Sequence, residues 1–489
     1  MEKPSPKAGR INGSVQSQND STPRVSSSDS TPTDVATHYW FAALEAAEIR
    51  FALLRGQDLE SRERAGSDLD LIVHPDDLIG LTDCLEAACE HSGTHIVQEF
   101  RTPHTLQIQL HGRTKEGKHT LLTLDIHTAE TCFGVAYLSA ERLLAVTAIA
   151  PAERFQIDGN GTAPMVPTVR PGWAGLVRFL GGFLSGGKVH PERLAFLKEA
   201  GPRECAAIRL ELGIWFGATL AKRIEDALLC EDEVSLRSMA KRARRALLRR
   251  KYRYSPLRSL RETVSTTYAL RVRPLFQPRG LCAAFIGTDG SGKTTLIEEV
   301  QKFLEPHYRD GKNKVHKLRP GLLPQINRLV HWRKSSYTAE DCRDPHRAKP
   351  SGAFGSALRA SWYAADCVLG WPLRVLPLRR RNTLQIFDRY YHDFLVDPER
   401  ARISRKSRVT RFAAKFIPRP EKILVCVADP EWIVERKQEL PPHEIHRQAN
   451  AYFDLAEQDA SLDMIRTDCD LSESLDQALT ALFRPRVTR

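Results

Sequence analysis

The sequence predicts an α/β protein with two folded domains and a helical middle segment. Three observations carry this reading. The run Gly287-Thr-Asp-Gly-Ser-Gly-Lys-Thr-Thr295 follows an apolar stretch, 281–286, and precedes a helical one, 295–304, the strand–loop–helix setting that such a glycine pattern requires. From Leu281 onward, strand-like and helix-like runs alternate, which implies a parallel sheet covered on both faces. Before residue 150 short alternating runs mix with helical ones, as in an α+β unit. A chain of 489 residues is too long for one hydrophobic core.

In chain order, residues 1–33 are rich in Ser, Thr, Pro and Asp. This tail lacks the apolar core of a secretory signal and is expected to be disordered. Residues 34–49 read as a helix anchored by Trp40, Leu44 and Ile49. Residues 51–56 read as a strand ending in a turn. In the run 66–73, Asp68, Asp70 and Ile72 alternate with Leu69, Leu71 and Val73, the period of a strand. A helix over 76–89 and strands near 96–100, 106–110 and 121–126 complete a domain assigned to 34–150. The connector, 151–277, is helical over about 172–271, with Leu236, Met239, Ala240, Ala243, Ala246 and Leu247 as an apolar stripe. The last domain, 278–489, carries five predicted parallel strands at 281–287, 314–318, 384–388, 422–428 and 462–467.

The net charge of +12 is mostly local: ten basic residues lie between Lys241 and Glu262 against one acid, Glu262. That segment is either a solvated helix face or an anionic contact, to a membrane headgroup layer or a polyphosphate substrate. The ten cysteines are scattered without a C-x-x-C pair, which argues against zinc and disulfides and for a reducing, cytoplasmic compartment. No apolar run reaches the length of a membrane span.

The glycine loop has the form G-x-x-x-x-G-K-[ST]. Gly287, Gly290 and Gly292 permit the backbone angles that turn amides toward a phosphate, and the helix N-terminus adds positive charge. Ser291, Thr294 and Thr295 complete the cradle. Lys293 is placed to reach the terminal phosphates of ATP, and the Thr294 hydroxyl to hold Mg²⁺. The strand 384–388 delivers Asp388, a second magnesium partner, and Arg389, a clamp for the acceptor, to its C-terminal end. A strand then turns at Asp429-Pro430 into a helix reaching Arg436 and Lys437. The polar stretch 438–447 has the composition of a closing lid.

On these residues, 281–489 resembles the thymidylate kinase branch of the P-loop nucleoside monophosphate kinases. The resemblance implies that Asp289 orients the acceptor, that Arg389 in the triplet Asp388-Arg389-Tyr390 binds the acceptor phosphate, and that lid cations neutralise the migrating phosphoryl. The loop carries Gly290-Ser291 where some members place a catalytic Arg, so Arg436, Lys437 or Arg447 is expected to supply that charge. The chain departs from the family elsewhere. It reads Leu318-Arg-Pro-Gly-Leu-Leu-Pro324 after the second strand. Cys367 and Leu369 stand where the family places the Arg and Gln that read thymine. Without those hydrogen-bonding groups, discrimination for thymine is lost. A different acceptor pocket is expected within 344–381, which holds Arg347, Lys349, Arg359, Trp362 and Trp371.

The run 53–56, then 66–70, then Leu124-Asp125-Ile126 resembles the polymerase-β-type nucleotidyltransferase fold. The resemblance implies metal binding by Asp68, Asp70 and Asp125. The chain departs at Gly56-Gln57, where active members carry Gly-Ser or Gly-Gly. A degenerate binding domain and surface acids on an edge strand are the alternatives to active catalysis.

The expected function is therefore an ATP- and Mg²⁺-dependent phosphotransferase acting on a small phosphorylated or hydroxylated acceptor, not strict for thymidylate. Nucleotide or envelope-polysaccharide metabolism would supply that acceptor, the latter by resemblance only. Two other readings are a nucleic-acid end-processing enzyme and an ATP-gated regulatory protein. Stacking aromatics in the basic segment are few, only Tyr252 and Tyr254, which disfavours nucleic acid. A homodimer stays open.

Overall fold

The computed structural model describes residues 31–54, 68–114, 117–152, 155–156, 163–190, 194, 196–308, 313–324, 351–436 and 440–484. The first sheet has seven strands: β1 (Phe51–Leu53), β2 (Leu69–Val73), β3 (His95–Arg101), β4 (Thr105–Arg113), β5 (His119–His127), β8 (Thr147–Pro151) and β9 (Met165–Val169). Their order is β3-β4-β5-β2-β1-β9-β8. The pairs β2–β5 and β1–β9 are parallel and the others antiparallel. A separate hairpin joins β6 (Ala129–Cys132) and β7 (Val135–Ser139).

Alternation along the strands decides what each face covers. Leu69, Leu71, Val73, Leu122, Leu124 and Ile126 pack against helices α1 (Pro32–Ala46) and α2 (Leu78–Ser92) through Trp40, Leu44, Leu81 and Leu85. On the other face, Ala52, Leu54 and Ile72 meet the helical middle, whereas Leu121 and Val97 meet the C-terminal domain. Three sequence expectations change here. Helix α1 opens at Pro32, capped by the Thr31 side chain, so the end of the predicted tail is built into the domain, with Thr33 buried. The sheet continues past residue 150, because β9 pairs with β1 and closes its open edge. Strand β2 lies between β5 and β1, which removes the edge-strand alternative for Asp70.

The middle comprises α3 (Pro171–Gly186), α4 (Pro202–Phe216), α5 (Ala218–Leu229), α6 (Glu233–Tyr254) and α7 (Pro256–Thr267). The stripe Leu236, Met239, Ala240, Ala243 and Leu247 faces inward as its helical spacing predicts, packing with Trp173, Phe183 and Trp215.

The second sheet is all parallel: β10 (Cys282–Gly287), β11 (Lys314–Lys317), β12 (Gln385–Asp388), β13 (Lys422–Val427) and β14 (Leu462–Arg466). Its order, β11-β12-β10-β13-β14, puts the strand that feeds the glycine loop at the centre. Helices α8 (Lys293–Leu304) and α12 (Leu471–Phe483) cover one face. Helices α9 (Ala353–Gly370) and α11 (Pro442–Gln458) cover the other; the short α10 (Pro430–Arg436) follows β13.

The two sheets are joined directly. The Arg279 guanidinium lies 3.4 Å from the Phe100 ring centroid and donates to Gln107 Oε1 at 2.7 Å. Burial pushes Arg279 down to about 10, although Asp125 opposes this. Gln98 donates to the Arg279 carbonyl. Further along, His95, His111 and His119 form a chain ending on Asp476 of α12, with links of 3.2, 2.8 and 2.9 Å. Phe483 stacks on His111 at 4.3 Å.

Candidate active site

The glycine loop emerges from β10, whose six residues are all buried. Gly287 has φ +147°, and a Cβ there would stand 2.3 Å from the Cys426 carbonyl oxygen. Only glycine lets the central strand turn so close to β13. Gly290 and Gly292 also have positive φ, and Gly292 caps α8. Ser291 is fully buried, and Lys293 is folded back within the cradle, donating to the Thr288 carbonyl. Burial and the repulsion of Arg389 push the Lys293 ammonium down to about 8.

The loop borders a cleft of about 360 Å³ lined also by Thr294, Thr295, Asp388, Arg389, Arg400 and Arg436. Asp289 is its pivot. Both Arg389 and Arg400 donate to its carboxylate, Arg400 at 2.6 Å. Burial alone would raise Asp289, yet Arg389, Arg400 and Lys293 hold it well below the usual carboxylate range. Arg389 is nine-tenths buried, with φ +70°, a conformation that costs about 1 kcal/mol for a residue bearing a Cβ. The surroundings hold it there. Its guanidinium donates to the Gly287 carbonyl at 3.2 Å and to Asp393, which accepts from the Tyr452 hydroxyl at 2.7 Å. This is a positioned, desolvated arginine and not a surface ion pair.

Sequence reasoning placed Asp289, Lys293, Thr294, Thr295, Asp388, Arg389 and Arg436 together, and all seven line the cleft. Arg436 ends α10, stacked 4.9 Å over Trp432. Arg447 is a correction. It lies on α11, bound to Glu444 at 2.6 and 2.9 Å and to the Val396 carbonyl, and it lines a different cavity. Residues 442–447 of the polar stretch form the first turns of a packed helix, with Ile445 in a small core with Ile433 and Leu440. Lys437 lies outside the described residues. Arg400, in a 3-10 turn over Pro398–Ala401, is the cation that sequence reasoning missed; no motif or spacing marks it.

Beside the cleft, the segment after β11 is pinned to α9. Asp366, fully buried, accepts from the amides of Gly321 and Leu323 and lies 3.3 Å from the Arg319 guanidinium. Trp362 donates to the Pro324 carbonyl at 3.1 Å. Cys367 packs in the core, and Leu369 is half exposed. The other residues expected to build an acceptor pocket have these partners or lie outside the described residues. Arg359 bonds Ser351, Trp371 stacks with Arg379, and Arg347 and Lys349 lie outside the described residues.

In the N-terminal domain, Asp70 and Asp125 are register partners on parallel strands. Gln107 donates to Asp125 Oδ1 at 2.8 Å. Asp68 precedes β2 and is exposed, so the strand alternation that would align it with Asp70 does not extend to it. Among the described residues, no group of three or more His, Cys, Asp or Glu side chains is placed to hold a metal ion. The three-carboxylate metal set read from the sequence is therefore not assembled. The segment 55–67, with Gly56-Gln57, lies outside the described residues.

No protein-family model matches the chain, and no curated protein matches it. Among solved structures it is similar to a thymidylate kinase from Ehrlichia chaffeensis, at 14% identity over 42% of this chain and 100% of that one, with a TM-score of 0.30. It is also similar to a thymidylate kinase from Candida albicans, at 16% identity over 41% and 90% of the two chains, with a TM-score of 0.31.

Proposed function

We propose that the C-terminal domain is an ATP-dependent phosphotransferase of the nucleoside-monophosphate-kinase type, with a small anionic acceptor. The observation that carries this is the convergence of Lys293, Arg389, Arg400 and Arg436 on one cleft at the mouth of the glycine loop. Four cations against Asp289 and Asp388 leave the cleft net positive, as phosphoryl transfer between two anions requires. The cradle fits a polyphosphate: its glycines hold positive φ angles that only glycine adopts without strain, and Lys293 is buried among them. Thr294 and Asp388 both border the cleft and would hold a divalent cation, which when bound neutralises phosphate charge. Asp289 fixes the heading of Arg389 and Arg400, so that both guanidinium groups are set before an acceptor arrives. Arg436 closes the side nearest Gly292. The acceptor is not strictly thymidylate, because Cys367 is buried and Leu369 carries no hydrogen-bonding group.

A transfer screen with labelled ATP against nucleotides, sugars and sugar phosphates tests this. A labelled product is expected, falling at least about a hundredfold in Lys293→Ala and strongly in Asp388→Asn. ATP loss without any phosphorylated product would leave a nucleotide-gated regulatory protein instead.

A second reading concerns the N-terminal domain and is favoured by Asp70 standing opposite Asp125. It is a nucleotidyltransferase-like unit that binds a nucleotide without transferring it. In a Lys293→Ala background, residual nucleotide binding that Asp70→Asn abolishes is the expected result; no residual binding would end this reading.

A further inference from the structure

Helix α7 is built inside out. Its buried residues are Ser259 and Glu262, at 2% and 8% exposure, while Leu257, Leu260 and Val264 stand 82%, 53% and 60% exposed. Spacings of three and four residues put the three apolar side chains on one face, opposite the buried pair. The exposed series continues through Tyr268 and ends at Phe276, which is 80% exposed. Among the described residues nothing covers this face. A soluble helix turns such a stripe inward, and a contiguous apolar strip left outside marks a contact surface.

The charges around it select the partner. Between residues 241 and 276 the one acid is Glu262. It is turned inward, accepting from the Ala136 amide at 3.0 Å and from Arg258 at 2.9 Å, with His104 at 3.4 Å. The outward side of the segment therefore presents cations alone. Arg258 and Arg261 lie on α7 itself, Arg250 and Arg253 end α6, and Arg271 and Arg273 follow. We propose that this face docks in the plane of an anionic lipid bilayer, with Leu257, Leu260, Val264 and Phe276 entering the headgroup–acyl boundary and the arginines on the phosphates. An apolar stripe bordered by arginines, with exposed Tyr254 and Tyr268 beside it, is the composition of an interfacial helix. Among the described residues no helix is long and apolar enough to cross a membrane, so the contact is peripheral. A nucleic acid would satisfy the arginines but leave the Leu/Val stripe in water. A second copy of the same face would bring like charges together. The inference is independent of the phosphotransferase reading.

Sedimentation of the full chain with vesicles tests it. Binding is expected to phosphatidylcholine vesicles containing phosphatidylglycerol, and to fall at least about tenfold with phosphatidylcholine alone and with rising salt. The double variant Leu257→Asp/Val264→Asp is expected to lose that binding with an unchanged thermal midpoint, since both residues already face solvent. Arg261→Glu is expected to lose it by about fivefold or more. Equal binding to both vesicle types, no binding to either, or unaltered binding by the double variant would overturn the proposal. So would a dimer that Leu257→Asp dissociates, or RNA binding that the apolar variants leave intact while lipid binding is absent.

Discussion

Asp289 holds two guanidinium groups at once, and this makes Arg400 the most informative single residue to change. Arg400→Ala removes one cation from the cleft while leaving the glycine loop and Arg389 in place. We expect kcat/KM for an anionic acceptor to fall about 10- to 100-fold, with ATP affinity nearly unchanged; steady-state kinetics with each substrate varied separates the two effects. Lys293 yields a pH prediction. Its ammonium titrates near 8 in the free protein, below the ordinary 10.5, and a bound polyphosphate favours the charged form. Nucleotide binding should therefore take up a proton between about pH 8 and 10, and affinity should decline as pH rises through that window. Calorimetry in buffers of different ionisation enthalpy reads the uptake directly. Lys293, Asp289 and Arg389 were legible in the sequence because each is fixed by its distance along the chain from a glycine or a strand end. Arg400 was not, because a 3-10 turn eleven residues after Arg389 carries it into the cleft, and nothing local announces that turn.

The strands of the C-terminal sheet could be located within a residue or two, since buried parallel strands are short apolar runs bounded by turns. The N-terminal sheet was legible only in part. β8 and β9 hold Pro151 and Pro167 and alternate weakly, and their place in the sheet comes from long-range pairing that no local pattern encodes. Two element-scale contacts can be tested. Asp366 clamps the segment after β11 through two amides and Arg319. Asp366→Ala leaves these donors unpaired and should lower stability by about 3 kcal/mol, measured by urea denaturation with the slope m unchanged. The histidine chain between β4, β5 and α12 should set acid stability. Burial, then His119, His95 and Arg113, push His111 down to about 3. The folded state thus holds fewer protons than the unfolded one between pH 6.5 and 3, and stability falls as pH drops through that range. His111→Gln should flatten that part of the stability profile, as read from thermal midpoints against pH.

At the scale of the whole molecule, the two halves share a core: Leu121 of the first sheet packs within the cluster that includes Phe285 of the second sheet and Leu479 and Phe483 of α12. Composition and motifs marked two domains but gave no sign of this sharing, because both contributing faces look locally like ordinary half-buried strands and helices. Its expected consequence is cooperative melting. Nucleotide at about a hundred times its dissociation constant should raise the stability of a single unfolding transition by about 2.7 kcal/mol. Differential scanning calorimetry checks this; two transitions with only one shifted would mean that the halves melt separately.

Arg279 is wedged against Phe100 and Gln107 of one sheet, and Cys282, three residues later, is already in the ladder of the other. Three extended residues reach only about 10 Å, which leaves no slack. The joint between the halves is therefore a rigid splice, with the contacts of Arg279 on one sheet and the first rung of the central strand of the other separated by three residues.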